Sequence, residues 1–417
     1  MANAEQRRVV VTGVSLLTPL GLDAEQTWEG LVEGRSGIGH ITAFDASEYE
    51  YPIAGELHGF EPDDHVDPKL GRRIDRSSVI AIAASKQAVQ DAQLDLESQE
   101  PGSVGIVLGT GIGGAYLLVE NQKVMEERGA RRVSPFMITN SLADTASGLV
   151  AIALGAGGPN MAITAACATG GAAIGEAAEL VVRGDAEAVI AGGFEAPIRP
   201  LYYAGFAAMR ALGAHDDPTQ ASRPFDADRN GFVISEGAGV LILEELEHAQ
   251  ARGARIYAEW KGSATASDAF DMVAVADDGR GIARAMRRAM ERAALAPDAI
   301  DYINAHGTST SLNDRVETRA IRDVFGAHAD RLAVSSTKSM IGHMMGAAGA
   351  VEAAVCVLAC ERQVAPPTIN YRTPDPDCDL DYVPNEARAM PVRHAMSTSV
   401  GLGGHNSALI FGRWEGA

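Results

Sequence analysis

Short runs rich in Val, Ile and Leu alternate along the whole chain with longer Ala-rich runs whose apolar residues recur at helical spacing. The runs Val9–Val11, Val104–Leu108, Val189–Ala191, Val240–Leu243 and Ile300–Asn304 predict strands. Ser77–Ala92, Gly171–Arg183, Gly281–Leu295 and Gly346–Cys360 predict helices. Strands interleaved with helices in this way specify an α/β architecture with buried sheets. No Pro- or Ser-rich stretch and no block of charge marks a linker. A faint echo runs through the pattern. ATGGAAIGEAAELV after Cys167 and MMGAAGAVEAAVCVL after His343 both open a helix with small residues and reach Glu-Ala-Ala. Small residues let any helix pack closely, so the echo alone leaves a duplication open.

The 417 residues are 46% hydrophobic and 22% charged, which excludes a disordered or fibrous chain. That length supplies a core without staples. Lys and Arg number 35 against 55 Asp and Glu, and the net charge of −20 has the wrong sign for a nucleic-acid binder. The longest apolar runs, such as AAVCVLAC at 353–360, fall well short of the ~20 residues that span a bilayer, so no membrane span is expected. The opening MANAEQRRVVVTG lacks the apolar stretch of a signal peptide. Four cysteines make no disulfide framework, and Cys356 and Cys360 have no nearby CxxC or His pair to suggest zinc. A reducing cytoplasm fits this pattern.

Candidate chemistry concentrates in a few loops. In MAITAACATGGAAIGEAAELV (161–181), Cys167 falls at a strand-to-helix turn, where small neighbours permit a sharp bend. A helix N-terminus favours thiolate, so a lowered thiol pKa is expected there. A buried structural cysteine is the competing reading. His306 follows a strand in YINAHGTSTSLND, and His343 lies in SSTKSMIGHMMGAAGA, five residues after Lys338. Either histidine alone reads as structural. One Cys with two His in Gly-flanked loops points instead to a nucleophile with acid–base partners. The Gly-rich SVGLGGHNSALIF (399–411) can bring backbone N–H groups to a developing oxyanion, although a tight turn is its ordinary reading.

Together these pieces resemble the elongating β-ketoacyl-acyl carrier protein synthases of the thiolase superfamily. The resemblance runs from VVVTGVSLLTPLG through RPFDADRNGFVISEGAG (223–239) to GLGGHN. It implies a five-layer α-β-α-β-α sandwich of two related βαβαβαββ halves, here 1–256 and 257–417, in a homodimer. By motif, Cys167 resembles the acylated nucleophile, and His306 in NAHGTST and His343 in KSMIGH resemble the histidine pair that supports malonyl decarboxylation. Lys338 and Glu317, in NDRVET, correspond to a buried ion pair beside the site. The N–H groups of Cys167 and Leu402 correspond to the oxyanion hole. Thr308 and Thr310 correspond to the hydroxyls that hold the phosphopantetheine arm, Leu402 to the gate of the acyl pocket, and Val400 to a further substrate-binding position. The implied reaction joins an acyl group on Cys167 to malonyl-acyl carrier protein with loss of carbon dioxide, using no metal or organic cofactor. Its partners are acyl and malonyl thioesters and the acyl carrier protein.

A thiolase proper would carry a second cysteine near the C-terminal Gly-rich loop, where this chain reads GLGGHN, and Cys378 lies well before it. A non-elongating carrier-binding partner would have lost the nucleophile. The departures from the family pattern fall on specificity elements. SVGLGG replaces SFGFGG, so Val400 and Leu402 stand for two phenylalanines. Asp271 stands for a common histidine, Ser311 for a proline and Asn230 for an aspartate, and ITNSLADTASG (138–148) is unusual. A specialised polyketide or unusual fatty-acid synthase is therefore the alternative. Docking an acidic carrier on so acidic a chain calls for a local positive patch. In PKLGRRIDR, Lys69, Arg72, Arg73 and Arg76 would share one face if the segment were helical. Arg131, Arg132 and Arg210 resemble other basic docking positions of the family. For any one of these charges, a solvated face paired to local carboxylates is the competing reading.

Overall fold

The computed structural model describes residues 7–416. The first six residues, in which no signal peptide is expected, lie outside them. Ten strands carry the fold. They are β1 (Val9–Leu17), β2 (Val104–Gly109), β3 (Asn160–Ile163), β4 (Ala188–Glu195) and β5 (Gly237–Glu245), then β6 (Ala258–Ser267), β7 (Tyr302–Asn304), β8 (Ala333–Ser335), β9 (His394–Gly401) and β10 (His405–Arg413). Their order across the sheet is β8-β7-β9-β10-β6-β1-β5-β4-β2-β3. Strand β1 pairs antiparallel with β5, and β5 antiparallel with β4, while β4, β2 and β3 run parallel. Raising every strand number by five reproduces the second group, pairing for pairing. The duplication hinted at by the sequence echo is thus present in the topology. The two groups touch through a short ladder in which Val9, Val10 and Val11 face Trp260, Glu259 and Ala258.

Helices make three further layers. Helices α1 (Arg76–Asp91) and α2 (Thr145–Leu154) cover the outer face of the first group. After α3 (Thr169–Arg183), α4 (Arg280–Ala293) and α5 (Ser311–Phe325) cover that of the second. Helices α3 and α6 (Ala348–Arg362) fill the space between the two groups. Side chains alternate across the pleat, so every long strand serves two cores. Leu241, Leu243, Leu409 and Phe411 join Ile174, Val351 and Val355 in the middle. Val240 and Ile242 pack outward with Ile80 and Ile82, and Ala408 and Ile410 with Met286 and Ile321. Helix α6 is buried on all sides, as its nearly unbroken apolar sequence requires. Glycine matters where α3 crosses α6. A Cβ on Gly170 would lie 2.5 Å from the Ala350 nitrogen and 2.8 Å from its Cβ.

One expected element does not form. Lys69, Arg72, Arg73 and Arg76 do not share a helix face, because a single turn at Pro68–Gly71 ends before α1 begins. Asp75 interrupts the run by capping α1, accepting the Ser77 N–H at 2.8 Å. Arg76 then turns inward to a two-pronged pair with Glu236, over the Phe60 ring. Lys69, Arg72 and Arg73 remain exposed. Among the described residues no helix is long and apolar enough to cross a membrane.

Candidate active site

Cys167 lies between the end of β3 and the start of α3. The turn is tight: Ala166 adopts φ +49°, and the Ala165 N–H donates to the Thr169 hydroxyl at 2.7 Å. Gly401, the last residue of β9, presses against it. A Cβ there would stand 2.8 Å from the Ala165 carbonyl oxygen and 3.1 Å from the Cys167 nitrogen. The next residue, Leu402, directs its backbone N–H at the Cys167 sulfur. The lowered thiol pKa expected from the helix terminus is not what the site produces. Burial pushes the thiol up to about 11, against the opposing pull of the Lys338 charge and the Leu402 N–H. The resting nucleophile is a buried thiol.

His306 and His343 meet edge to face, with ring centroids 5.3 Å apart. The Lys338 ammonium, which can only donate, lies 3.3 Å from His306 Nδ1. The Met345 N–H donates to His343 Nδ1 at 3.2 Å. Both rings therefore accept at Nδ1 and carry their proton on Nε2. Burial and the Lys338 charge hold both pKa values well below the ordinary 6.5, so both imidazoles are neutral.

The expected Lys338–Glu317 ion pair is replaced by another. Lys338 pairs with Glu352, one turn into α6. Glu317 is occupied elsewhere, accepting the N–H groups of His306 and Gly307 and the Thr398 hydroxyl, each at 2.8 Å. It holds the turn that aims His306. Burial raises Glu352 to about 7 despite the adjacent ammonium.

A cavity of about 180 Å³ joins these groups, with Cys167, His306 and His343 in its buried part. Thr308, Thr310, Val400 and Leu402 also line it, and the Thr308 and Thr310 hydroxyls lie 2.9 Å apart. Leu402 is 39% exposed and stands with Met209 and Val273 at the mouth. Asp271 points its carboxylate at the N–H groups of Val273 and Ala274, at 2.8 and 2.9 Å, which lowers its pKa and shapes that rim. Gly403 ties the Gly-rich turn to the same loop by donating to the Met272 carbonyl at 2.9 Å. Of the basic positions, Arg210 follows Met209 at the rim, and Arg131 and Arg132 are exposed on a separate turn. None of the six exposed docking candidates lines the cavity. Among the described residues no group of three or more His, Cys, Asp or Glu is arranged for a metal.

Two family models match the chain: "Beta-ketoacyl synthase, N-terminal domain" over residues 6–249 and "Beta-ketoacyl synthase, C-terminal domain" over 257–372. The chain belongs to the β-ketoacyl synthase family. It is 51% identical to a "3-oxoacyl-[acyl-carrier-protein] synthase 2" of Synechocystis sp., covering 100% of both chains. It is 48% identical to a protein of the same name from Staphylococcus aureus, over 99% of this chain and 100% of the relative. A solved type II PKS ketosynthase in complex with its acyl-carrier protein superposes with a TM-score of 0.91 at 33% identity, over 98% of this chain and 100% of that one. A β-ketoacyl synthase from Burkholderia phymatum gives 0.90 at 35% identity, with the same coverage. The fold of this β-ketoacyl synthase is thus the thiolase-like sandwich.

Two carboxylates of the synthase site were not singled out in the sequence. Glu352 carries the only charge between residues 344 and 360, and that isolation was a usable signal. Glu195, at the end of β4, accepts the Thr110 hydroxyl and the N–H groups of Gly111, Gly113 and Gly346 at 2.7–3.0 Å. It clamps the loop after β2 to the segment following His343.

The contact at Gly401 predicts a large effect from one methyl group. Gly401→Ala should lower condensation at least tenfold by pushing the Leu402 N–H away from the sulfur. Circular dichroism should show the fold retained with a lowered melting temperature, because the displaced atoms are backbone, and unchanged turnover would show that this backbone approach is unimportant.

Proposed function

We propose that the protein is an elongating 3-oxoacyl-acyl carrier protein synthase. The observation that carries this reading is one cavity in which a buried cysteine, under a backbone N–H, faces two neutral imidazoles protonated on Nε2. In the first half, Cys167 sulfur attacks the acyl-carrier thioester, the N–H groups of Cys167 and Leu402 hold the oxyanion, and the cysteine proton ends on the departing pantetheine thiol. In the second, malonyl-carrier loses carbon dioxide while the two Nε2–H groups hold the thioester oxygen as enolate. The carbanion attacks the acyl carbonyl, expels Cys167 as thiolate, and the thiolate takes up a proton. The product is a 3-oxoacyl-carrier two carbons longer, and no step needs a metal or organic cofactor. Intact-mass measurement after incubation with a panel of acyl-carriers tests the reading; absence of any acyl adduct would remove it.

A specialised polyketide or unusual fatty-acid role is the second reading, favoured by Leu402 at the rim. A branched aliphatic chain has no flat face with which to seal a pocket. Leu402→Phe should shift the preferred acyl length or branching and leave malonyl decarboxylation unchanged, as product profiling by mass spectrometry would show. Identical profiles would take Leu402 out of the gating role.

Acyl carrier protein is the proposed macromolecular partner, docking on Lys69, Arg72, Arg73, Arg131, Arg132 and Arg210. Replacing Arg72, Arg131 and Arg132 by Glu should weaken use of carrier-bound substrates about tenfold or more, with less effect on pantetheine thioesters. Added salt should weaken the wild type in the same direction. Equal losses with both substrate types would send the search for the docking face elsewhere.

A homodimer is supported by β3, which pairs on one side only, and by exposed Leu118, Phe136, Ile138, Leu142 and Ile152 on the same half. The repeated strand order supports two halves dividing at 256/257. Four free, buried cysteines are in keeping with a cytoplasmic location.

A further inference from the structure

The RPFDADRNGF segment (223–232) holds a buried cation, Arg229, that has no part in the chemistry above. Arg229 is 8% exposed. Its Nε donates to the Thr310 carbonyl at 3.1 Å and its Nη2 to the Ser311 carbonyl at 3.0 Å. Its Nη1 donates to the Asp226 carbonyl at 2.8 Å and to Asp375 at 2.6 Å. Asp314 faces it at 3.7 Å and accepts the N–H groups of Phe225 and Ser309. The loop held in this way is strained, with Ser309 at φ +70°. It carries Thr308 and Thr310, whose hydroxyls line the cavity.

We propose that Arg229 is a positioning residue for the pantetheine arm. Its planar fork holds the Thr308–Ser311 backbone so that the two hydroxyls face the substrate. The proposal rests on the reading of Thr308 and Thr310 as the groups that hold the arm. A lysine cannot replace the fork, because its ammonium is a point donor and cannot meet carbonyls on two sides in one plane. The four acceptors come from three separate segments, so the guanidinium sets the loop against both the 226 turn and the 375 loop.

The test compares Arg229→Lys, the Thr308→Val/Thr310→Val pair, and their combination, with malonyl-pantetheine and malonyl-carrier as substrates. Arg229→Lys should raise KM for both substrates about tenfold, the scale expected when buried carbonyls lose a charged donor. Its kcat and the rate of Cys167 alkylation by iodoacetamide should stay near wild type. The combined variant should be no worse in KM than the threonine variant alone, because the arginine acts through those hydroxyls. Additive KM effects, or a fall in kcat with unchanged KM, would overturn the proposal. Unchanged KM in the threonine variant would defeat the underlying reading and the proposal with it. An elevated KM there beside a wild-type KM in Arg229→Lys would defeat only the proposal. Should Arg229→Lys fail to fold, Asp375→Asn loosens the same guanidinium from a half-exposed loop; a severalfold rise in KM supports the positioning role, and wild-type KM overturns it.

Discussion

Cys167→Ala protein should take up no acyl group from any acyl-carrier and form no 3-oxoacyl product. The other three cysteines cannot stand in for it. Cys356 and Cys360 are fully buried in α6, and burial pushes the Cys360 and Cys378 thiols up to about 12, whereas Cys167 is the cysteine that lines the cavity shared with His306 and His343. The loss should reach the limit of detection, at least about 10⁴-fold, because no second nucleophile is in reach. Cys167→Gln should still decarboxylate malonyl-carrier, since the two imidazoles and their Nδ1 partners are untouched. The raised thiol pKa adds a further expectation. Alkylation of wild-type Cys167 should keep accelerating with pH up to the region of about 11. An acyl-enzyme on the alanine variant, or a plateau in alkylation near neutrality, would contradict this account of the nucleophile.

Lys338→Met should strike both the stability of the site and the decarboxylation half. Removing the ammonium leaves Glu352 buried without its partner, a cost of about 3–5 kcal/mol when one member of such a pair is deleted. It also frees His306 Nδ1, so the ring no longer presents Nε2–H to the cavity by default. Decarboxylation should fall about 10²-fold or more. The double variant Lys338→Met/Glu352→Gln separates these effects: melting temperature should recover and decarboxylation should not. Recovery of both would mean that the lysine serves stability alone. The histidines also set a pH dependence. Their folded pKa values lie well below 6.5, so they are neutral throughout the range of about pH 6–8, and their own protonation should add no pH dependence to decarboxylation there. Because the fold depresses these values, their stabilising contribution is present above 6.5 and is lost as pH falls through the lower folded values. Glu352 runs the other way, its folded pKa being raised, so its contribution is present at low pH and declines as pH rises through about 7.

The long apolar strands and Ala-rich helices were legible because each is a local pattern with its own period. Strand β7 proved shorter than Ile300–Asn304, and β8 has three residues, too few for any period to register. Cys167, His306 and His343 were legible because each sits in a compact motif. The partner of Lys338 was not, since the choice between Glu317 and Glu352 depends on which helix passes the ammonium. Nor was the Cys167 thiol pKa, because the residues packed with it, among them Ala54, Ile198, Phe232, Ile234 and Met345, come from segments scattered along the chain. The false helix face at 69–76 failed at Asp75, whose place before Arg-Ser-Ser is itself a helix-start signal. The Glu-Ala-Ala echo belonged to a true duplication: Glu176 stands nine residues after Cys167 and Glu352 nine after His343, each in the central helix of its own copy.

The crossing of α3 and α6 has a consequence for how such a chain can diverge. One copy of the repeat contributes the nucleophile just ahead of its central helix, and the other contributes His343 just ahead of its own. The backbones of these helices meet at Gly170 and Ala350, where even one added methyl at 170 would collide. Because the first atom met is the Ala350 backbone nitrogen, at 2.5 Å, no smaller side chain at 350 could make room, and a bulkier residue at 170 would lever the two reacting groups apart. Along this seam position 170 is closed to any Cβ, so homologues that keep both reacting groups should keep glycine there whatever their surface loops become.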